Sequence, residues 1–402
     1  MKGFQELTSV DDALRTFMNA FRIGQLKTVS VPLNLALGRV LAEDIVAEED
    51  LPRFDRSAVD GFAVKAHYTT GASQFKPKIL RAAEGGAVKV WTGNPILEDV
   101  DAVVMLENAR CVKDGVEVWS PVTPGENVSE RGEDVSKGDV AVKKGTRLGP
   151  QHLGLIAALG TANVEVFQKP KIAVLATGNE LAEPDAKLKS NQVFEVNRYV
   201  LSAYCVELGA EPIDLGIAKD NLGEITERLR SGLEMTDAVL TTGGTSVGFA
   251  DLVPDAVNST GRPGVIVHGV AMRPAMPTAL AVVNGKPVVM LSGNPVAAIV
   301  GFEVFARPLI CRLLGLNHAE PRPAVKARMT RKVATALGRM NFVRVHVFRR
   351  GGEFLAESVS VRGSGVISTM TRANGYVMVP ENREGLAKGE MVDVKLFDVV
   401  EE

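Results

Sequence analysis

The sequence predicts a multidomain α/β protein, in which a three-layer α/β/α domain with a mostly parallel sheet is joined to smaller β-rich and helical domains. Three observations lead to this prediction. The chain has 402 residues, which is too long for one core and suggests about three domains of roughly 150 residues each. Strand-like and helical segments alternate after residue 170, and strand patterns fill the middle and the end of the chain.

The N-terminal segment predicts an amphipathic helix. Ser9 can cap this helix, and apolar residues recur at helical spacing over 14–21. A second helix is expected to begin at Pro150, because proline suits the first turn of a helix. We assign residues 1–45 and 140–168 to an elongated helical domain.

Residues 46–139 predict a β-rich domain that is inserted into the helical one. The strand-like runs are short and punctuated by glycine, as in GGAVKVW, DAVVMLE and CVKDGVEVW. Within the last run, Asp114 and Gly115 are a strong signal for a two-residue hairpin turn. The insertion makes the first domain discontinuous.

Residues 169–318 carry the alternating pattern of a parallel sheet covered by helices. In such sheets ligands bind outside the carboxyl ends of the strands. The loops expected there are TGNE, AKDN, GGTSVGFAD, MRPAMPT and SGNPVAA. These loops therefore converge on one edge of the predicted sheet.

Residues 319–402 predict a small, β-barrel-like domain. In FVRVHVF the apolar residues alternate with Arg344 and His346, which is the period of a strand with one buried face. Gly351 and Gly352 are expected to turn the chain between two strands.

Composition excludes several classes of protein. A net charge of −2 argues against a general nucleic-acid binder, and 46% hydrophobic with 23% charged residues is typical of a globular protein. The first residues show no signal peptide, so a cytoplasmic location is expected. Three widely spaced cysteines and five unclustered histidines indicate neither a disulfide framework nor a transition-metal site.

The loop TTGGTSVGFAD combines features that favour opposite charges. Glycines and hydroxyls let backbone N–H groups approach an anion, whereas Asp251 would repel it. A Mg²⁺ ion between carboxylates and a phosphate reconciles the two, and Glu180 and Asp220 are expected at the same edge. A tight surface turn explains the glycines equally well, and Asp220 could instead cap the helix near Leu222.

Longer motifs identify a family. The chain resembles the molybdopterin molybdotransferases, the family of bacterial MoeA and of the E domain of gephyrin. The resemblance runs through the whole chain, in LPRFDRSAVDGFAV, the TGN of VWTGNPI, GENVSERGEDVSKGD, ATGNEL, GIAKDN, TTGGTSVGFADLV, MRPAMPTALA, LSGNPVAA, GRMNFVR and SGVISTMTRANGY. It implies Mg²⁺-dependent insertion of molybdate into adenylylated molybdopterin, with release of AMP, by a homodimer whose subunits share the site.

The resemblance also implies site residues. The catalytic carboxylates would be Asp60, Asp134, Glu180, Asp220 and Asp251, with Asp60 preferred over Asp55. Glu180, Asp220 and Asp251 would hold the metal. The residues that would bind the pterin and the oxyanion are Thr92, Gly243, Gly244, Ser246, Gly248, Arg273, Pro274, Pro277, Gly293, Asn294, Arg339, Arg344 and Ser364.

The chain departs from the family pattern around the oxyanion. Met276 stands where a second cation is usual, and Ala275 where glycine is usual. Ala297 stands where serine is common. The turn also has Ser292 in place of proline, and the usual DSN ending is replaced by Glu195, Val196 and Asn197.

These departures leave alternatives open. The protein could be a paralogue that selects tungstate, or a pterin-binding scaffold without catalysis. Adenylylation of the pterin itself would leave the helical, inserted and C-terminal segments unexplained. The retained acids argue against a pure scaffold.

Overall fold

The computed structural model of the protein describes residues 7–81, 86–244, 252–316, 322–359 and 363–400. The chain divides into two compact units, one of residues 1–28 with 167–402 and the other of residues 29–166. Helix α1 (Val10–Ala20) belongs to the first unit and begins as predicted, with the Ser9 side chain accepting a hydrogen bond from the Asp12 N–H. It buries Ala13 and Phe17.

The second unit consists mainly of short strands, and those within residues 46–139 follow the glycine-punctuated pattern that predicted them. Its strands are β1 (Thr28–Pro32), β2 (Ile45–Val46), β3 (Arg56–Ser57), β4 (Gly61–Val64), β5 (Lys78–Leu80), β6 (Val88–Val90), β7 (Ala102–Met105), β8 (Ala109–Val112), β9 (Gly115–Val118), β10 (Val128–Ser129), β11 (Val140–Val142) and β12 (Asn163–Phe167). Its α-helices are α2 (Ala66–Thr69) and α3 (Pro150–Ala158). Pro150 is the first residue of α3, as expected.

Small antiparallel sheets organise this unit. Strands β6, β4 and β7 form one three-stranded sheet, and β5, β9 and β8 form another. The predicted hairpin is present, but Val112 pairs with Gly115, so that Lys113 and Asp114 form the turn instead of Asp114 and Gly115. A side chain at position 115 would lie 2.2 Å from the Leu80 carbonyl oxygen, so the glycine serves the close approach of β5.

The α/β region of the first unit contains a six-stranded sheet. Its strands are β13 (Lys171–Thr177), β16 (Glu211–Ala218), β17 (Ala238–Thr242), β18 (Pro263–His268), β20 (Ala279–Val283) and β21 (Lys286–Leu291), and the short strands β14 (Leu181–Ala182), β15 (Val193–Phe194) and β19 (Met272–Arg273) lie outside it. The helices are α4 (Asn197–Leu208), α5 (Leu222–Met235), α6 (Leu252–Thr260), α7 (Pro295–Gly301) and α8 (Arg307–Leu313), with a π-helical turn at Phe302–Ala306.

The order of the strands in this sheet is β16-β13-β17-β21-β20-β18. The first four strands run parallel to one another, β20 is antiparallel to β21, and β18 is antiparallel to β20, which confirms the predicted mostly parallel sheet. The core includes Leu175, Ile225, Leu229, Val253 and Met290. Among the described residues, no helix is long and apolar enough to cross a membrane.

The C-terminal region is a closed barrel, as the alternating pattern predicted. Its elements are β22 (Ala324–Met329), β23 (Val333–Ala334), β24 (Met340–Arg350), β25 (Glu353–Ser358), α9 (Ser368–Thr371), β26 (Gly375–Val379), β27 (Gly385–Leu386) and β28 (Met391–Leu396). Pairing runs from β24 through β25, β22, β28 and β26 and returns to β24, which closes the barrel. Val343, Val345 and Val347 lie in its core.

Candidate functional site

The predicted loops follow strands that are neighbours in the sheet. Strands β16, β13, β17 and β21 lie side by side, so the segments after Ala218, Thr177, Thr242 and Leu291 lie along one edge. This is the carboxyl edge at which parallel sheets bind ligands.

Two of the predicted metal ligands belong to adjoining loops on this edge. Asn179 donates its backbone N–H to Asp220 Oδ2 over 3.1 Å, and its side-chain oxygen accepts the Asp220 N–H over 3.2 Å. Glu180 follows Asn179 directly, and both Glu180 and Asp220 are exposed. The loops that carry these carboxylates are therefore joined to each other.

Asp220 does not cap helix α5. The cap is Asn221, whose side chain accepts the Glu224 N–H over 3.1 Å. The capping alternative for Asp220 is therefore wrong, because the neighbouring amide already satisfies that end of the helix.

The glycines at the end of β17 have a steric role. Gly243 has a φ of +88°, and a side chain there would lie 2.3 Å from the Thr177 carbonyl oxygen. Gly244 has a φ of +62°, and a side chain would meet Val253. Only glycine combines a positive φ with the absence of a side chain, so these positions let the neighbouring strand ends pack closely. Ser246, Gly248 and Asp251 lie outside the described residues, and their assignment stays a prediction.

Asn197 ties the edge together, a role that sequence reasoning missed. Its Nδ2 donates to Thr242 Oγ1 over 2.7 Å and to the Gly293 carbonyl over 2.8 Å. Thr242 Oγ1 in turn donates to the Ser292 carbonyl over 3.1 Å. The Asn197 amide thus fixes the ends of β17 and β21, and its place as the first residue of α4 was the only sequence signal.

In the same VFEVN segment, Glu195 joins an ion cluster around the buried side chain of Arg198. Glu195 is 3% exposed, and burial raises the pKa of its carboxyl. It accepts the Arg198 N–H over 3.0 Å, while the Arg198 guanidinium donates to Asp214 over 2.7 Å and to Glu183 over 2.6 Å. This departure from the family pattern therefore anchors the start of α4.

A cationic cavity of about 590 Å³ lies where the α/β region meets the barrel within the first unit. Strand β19 pairs in parallel with β24, so that Arg273 lies opposite Asn341. This pairing brings the MRPAMP loop beside the GRMNFVR strand. Predicted residues that line the cavity are Arg273, Pro274, Pro277, Asn294, Arg339, Arg344 and Ser364.

The polar side chains that line this cavity differ in their exposure and in their contacts. Arg344 is only 4% exposed, and burial lowers the pKa of its guanidinium, although an arginine stays charged at neutral pH. Arg273 is exposed. The Ser364 carbonyl accepts the Val296 N–H over 3.0 Å, which joins the serine turn to the start of α7. The structure thus assembles three arginines and three hydroxyl-bearing residues, Ser292, Thr335 and Ser364, around one cavity.

Four of the unusual residues, Ala275, Met276, Ser292 and Ala297, line the same cavity. Met276 and Ala297 both contribute to its wall, so the donors that the chain lacks would have pointed into this space. Ala275 has a φ of +80°, a left-handed conformation that favours glycine. Ser292 is buried beside Gly293 and is itself part of this wall.

In the second unit, Asp60 and Thr92 contact each other. Thr92 donates its backbone N–H to Asp60 Oδ1 over 2.7 Å and its hydroxyl to the same oxygen over 2.8 Å. These hydrogen bonds, the backbone one first, lower the pKa of the Asp60 carboxyl. Asp55 instead accepts the Arg131 N–H over 2.7 Å, which gives it a role in holding the neighbouring loop.

Asp50, which sequence reasoning missed, holds the loop that carries Asp134. Its carboxylate accepts the Lys137 N–H over 2.8 Å and Arg131 Nε over 2.6 Å, at the two ends of the loop. The Asp134 N–H donates to the Leu51 carbonyl over 3.0 Å. The Asp60 and Asp134 groups belong to one compact unit, and Glu180 and Asp220 belong to the other.

Within the described parts of the chain, no three His, Cys, Asp or Glu side chains are grouped so as to hold a metal ion. Asp251, the predicted third ligand, lies outside those parts. The two described members, Glu180 and Asp220, offer the oxygen ligands that Mg²⁺ prefers, on loops joined through Asn179.

Three family models match successive parts of the chain. Residues 8–160 match the MoeA N-terminal region (domain I and II), residues 173–312 a "Probable molybdopterin binding domain", and residues 326–397 the MoeA C-terminal region (domain IV). Together these matches span most of the protein.

Known proteins are similar over nearly the full length. A "Putative molybdopterin biosynthesis protein" of Methanocaldococcus jannaschii is 37% identical, with 99% of each chain covered. The molybdopterin molybdenumtransferase of Bacillus subtilis is 34% identical, with 96% of this chain and 94% of the relative covered. The crystal structure of the molybdopterin biosynthesis moeA protein from Pyrococcus horikoshii gives a TM-score of 0.84 at 33% identity, covering 98% of this chain and 100% of that one.

Proposed function

The chain belongs to the MoeA family, and from that premise we propose that it inserts molybdate into adenylylated molybdopterin and releases AMP in a Mg²⁺-dependent reaction. It is a transferase of molybdenum cofactor biosynthesis, because relatives that match it over nearly the full length are named molybdopterin molybdenumtransferase. The observation that supports the proposed insertion of molybdate is the cationic cavity.

Molybdate is a tetrahedral dianion that needs positively charged or neutral donors and no carboxylate beside it. The cavity offers the guanidinium groups of Arg273, Arg339 and Arg344 with the hydroxyl of Ser364, and none of the described residues that line it is an Asp or a Glu. A hydrogen bond to a charged group contributes about 1.5–3 kcal/mol, so two or three of them give an oxyanion useful affinity. This donor set supports the cavity as the molybdate site.

Glu180 and Asp220 are not among the residues that line the cavity, which suits a separate role for them in holding Mg²⁺. Glu180 and Asp220, with Asp251 from the adjoining loop, would hold Mg²⁺. When bound, Mg²⁺ neutralises phosphate charge and acts as a Lewis acid. The protein itself orients these loops through Asn179 and Asn197 and keeps like charges away from the oxyanion.

In the second unit, Asp60 is proposed to act as an ionised carboxylate. The two donors of Thr92 favour the charged form of Asp60, so it stays available as a hydrogen-bond acceptor or metal ligand at neutral pH. Asp134 is proposed to contribute a second carboxylate from the loop that Asp50 holds.

We also propose that the protein is a homodimer whose subunits share the site, and that it is located in the cytoplasm. An exposed apolar surface on β15 and α4 supports the dimer: Val193, Phe194, Tyr199 and Val206 are 53%, 43%, 53% and 62% exposed. Exposed apolar side chains that are close together are typical of an interaction surface. Mixing inactive Asp60→Asn and Asp220→Asn proteins tests the shared site.

In that mixture each heterodimer would contain one site with both wild-type carboxylates, so about a quarter of the wild-type activity should return if subunits exchange at random. Absence of any recovery after exchange, verified with differently tagged subunits, would show that each site lies within one chain.

The function itself is tested by AMP release from adenylylated molybdopterin with Mg²⁺ and molybdate, tungstate or sulfate. We expect release to rise with molybdate and to fall when Mg²⁺ is chelated. Stimulation by tungstate alone would establish the tungstate-selective alternative. Tight binding of the pterin with no release under any anion would establish a scaffold.

A further inference from the structure

Trp91 presents a half-exposed indole ring beside the Asp60–Thr92 pair. It precedes Thr92 directly and is 50% exposed, although a tryptophan of a monomeric domain normally buries most of its surface. The pairing of β4 with β6 joins Gly61 to Val90, and one further step in this antiparallel register places Asp60 opposite Trp91. Trp91 therefore lies next to the proposed catalytic pair along the backbone, and its ring is open to solvent there.

The backbone around the ring is fixed. The Trp91 N–H donates to Asn94 Oδ1 over 3.0 Å, and the Asn94 N–H donates back to the Trp91 carbonyl over 2.9 Å. Gly93 donates to the Ser57 carbonyl over 2.8 Å, which ties this turn to β3. A ring on a turn held in this way loses little conformational freedom when a ligand covers it.

A positive charge accompanies the ring. The Lys89 ammonium lies 4.6 Å from the centroid of the Trp91 ring, on the same strand face two residues away. The ammonium group is a donor that suits a phosphate group. The surface thus joins an aromatic plane, a cation and the Thr92–Asp60 pair, which are the chemical complements of a base, a phosphate and a ribose or metal.

We propose that Trp91 stacks on the adenine ring of the adenylylated substrate and of the AMP product, with Lys89 beside the phosphate. The proposal rests on the proposed function, because that reaction supplies the only adenine. Residues 173–312 match a "Probable molybdopterin binding domain", so we assign the pterin ring to the α/β region and the adenine ring to the inserted β-rich domain. Stacking of a base on an aromatic side chain is sequence-tolerant and strong enough to orient the leaving nucleotide.

The protein has two tryptophans, Trp91 and Trp119, so the Trp119→Phe variant reports on Trp91 alone. The fluorescence of this variant is titrated with AMP, with ribose 5-phosphate and with neopterin. We expect AMP to quench the emission and ribose 5-phosphate, which lacks a base, to leave it unchanged. Neopterin tests whether the ring is a pterin instead.

Affinity for AMP is then measured by calorimetry in Trp91→Ala and Trp91→Phe. We expect about fivefold or more weaker binding in Trp91→Ala and less than about threefold in Trp91→Phe, because phenylalanine keeps a stacking face. The matched control is Phe75→Ala, which removes a 99% exposed ring from the same domain and should leave AMP affinity unchanged.

An unchanged emission with AMP would overturn the proposal, as would wild-type affinity in Trp91→Ala, equal quenching by ribose 5-phosphate, or quenching by neopterin alone. The AMP titration needs no turnover. A wild-type protein that binds AMP through Trp91 but never releases AMP from the adenylylated pterin would therefore refute the proposed function and leave the stacking intact.

Discussion

Replacing Met276 with lysine should tighten the binding of molybdate. Met276 lines the cationic cavity with Arg273, Arg339 and Arg344, and it occupies the position where the family pattern has a second cation. A charge-assisted hydrogen bond is worth about 1.5–3 kcal/mol, which corresponds to roughly 10- to 150-fold in affinity. The cavity is open to solvent at Arg273, and the two cations repel each other when no anion is bound, so we expect the lower end, about tenfold.

The assay is the molybdate concentration that gives half-maximal AMP release, measured at fixed ionic strength. Met276→Leu keeps the volume without the charge and should resemble the wild type. Met391→Lys adds the same charge at a 50% exposed methionine at the start of β28, outside the cavity lining, and should also leave the half-maximal concentration unchanged. No shift in Met276→Lys, or the same shift in Met391→Lys, would refute the assignment of the oxyanion to this cavity.

Three further outcomes follow from the geometry. Ala275→Gly should raise the free energy of unfolding in urea by roughly 0.5–1 kcal/mol, because relief of the φ of +80° exceeds the added entropy of the unfolded chain; a loss of stability would contradict this. The hydrogen bonds to Asp50 lower the pKa of its carboxyl. Ionised Asp50 therefore stabilises the folded state above its unfolded pKa of 3.8, and this stabilisation is lost as pH falls through the lower folded pKa. Asp50→Asn should therefore flatten the fall of the melting temperature on acidification, and an unchanged slope would count against it. Thr92→Val should move the acid limb of the pH–rate profile to higher pH, since Asp60 loses a donor that favours its charged form, whereas an unmoved limb would exclude that carboxyl from the profile.

Most of the regular elements could be predicted from local patterns. The strand at Lys171–Thr177 and the helices at Asn197–Leu208 and Leu222–Met235 follow apolar runs and periodicities that need no tertiary information. The exact ends of helices and strands were harder to predict, because neighbouring residues can each serve as the helix cap or as the turn residue. Asn221 caps α5 where Asp220 was the alternative, and Lys113 takes the place of Gly115 in the hairpin turn.

Contacts between distant segments could not be predicted. Alternation in FVRVHVF places Arg344 on the face opposite the valines, yet Arg344 is almost fully buried because α/β residues such as Met272 and Ser292 share the cavity wall with it. The roles of Asn197 and Asp50 depend on strand ends and loops that lie about 45 to 95 residues away along the chain.

The residues of the candidate site could likewise be predicted only in part. The family motifs predicted residues of the cationic cavity and the Asp60–Thr92 pair, and the structure brings each of these two groups together. The carboxylate Asp251 lies outside the described residues, so the complete metal site stays a prediction.

The molybdate dependence of AMP release in wild type, Arg273→Gln and Arg349→Gln tests the central claim most directly. Arg273 is exposed in the cavity, so its loss should not unfold the protein, and Arg349 is an exposed arginine on β24 away from the cavity lining. We predict that molybdate stimulates the wild type and Arg349→Gln alike, while Arg273→Gln needs about tenfold more molybdate. An Arg273→Gln protein with the wild-type molybdate dependence, or a wild type that molybdate does not stimulate, would contradict the account.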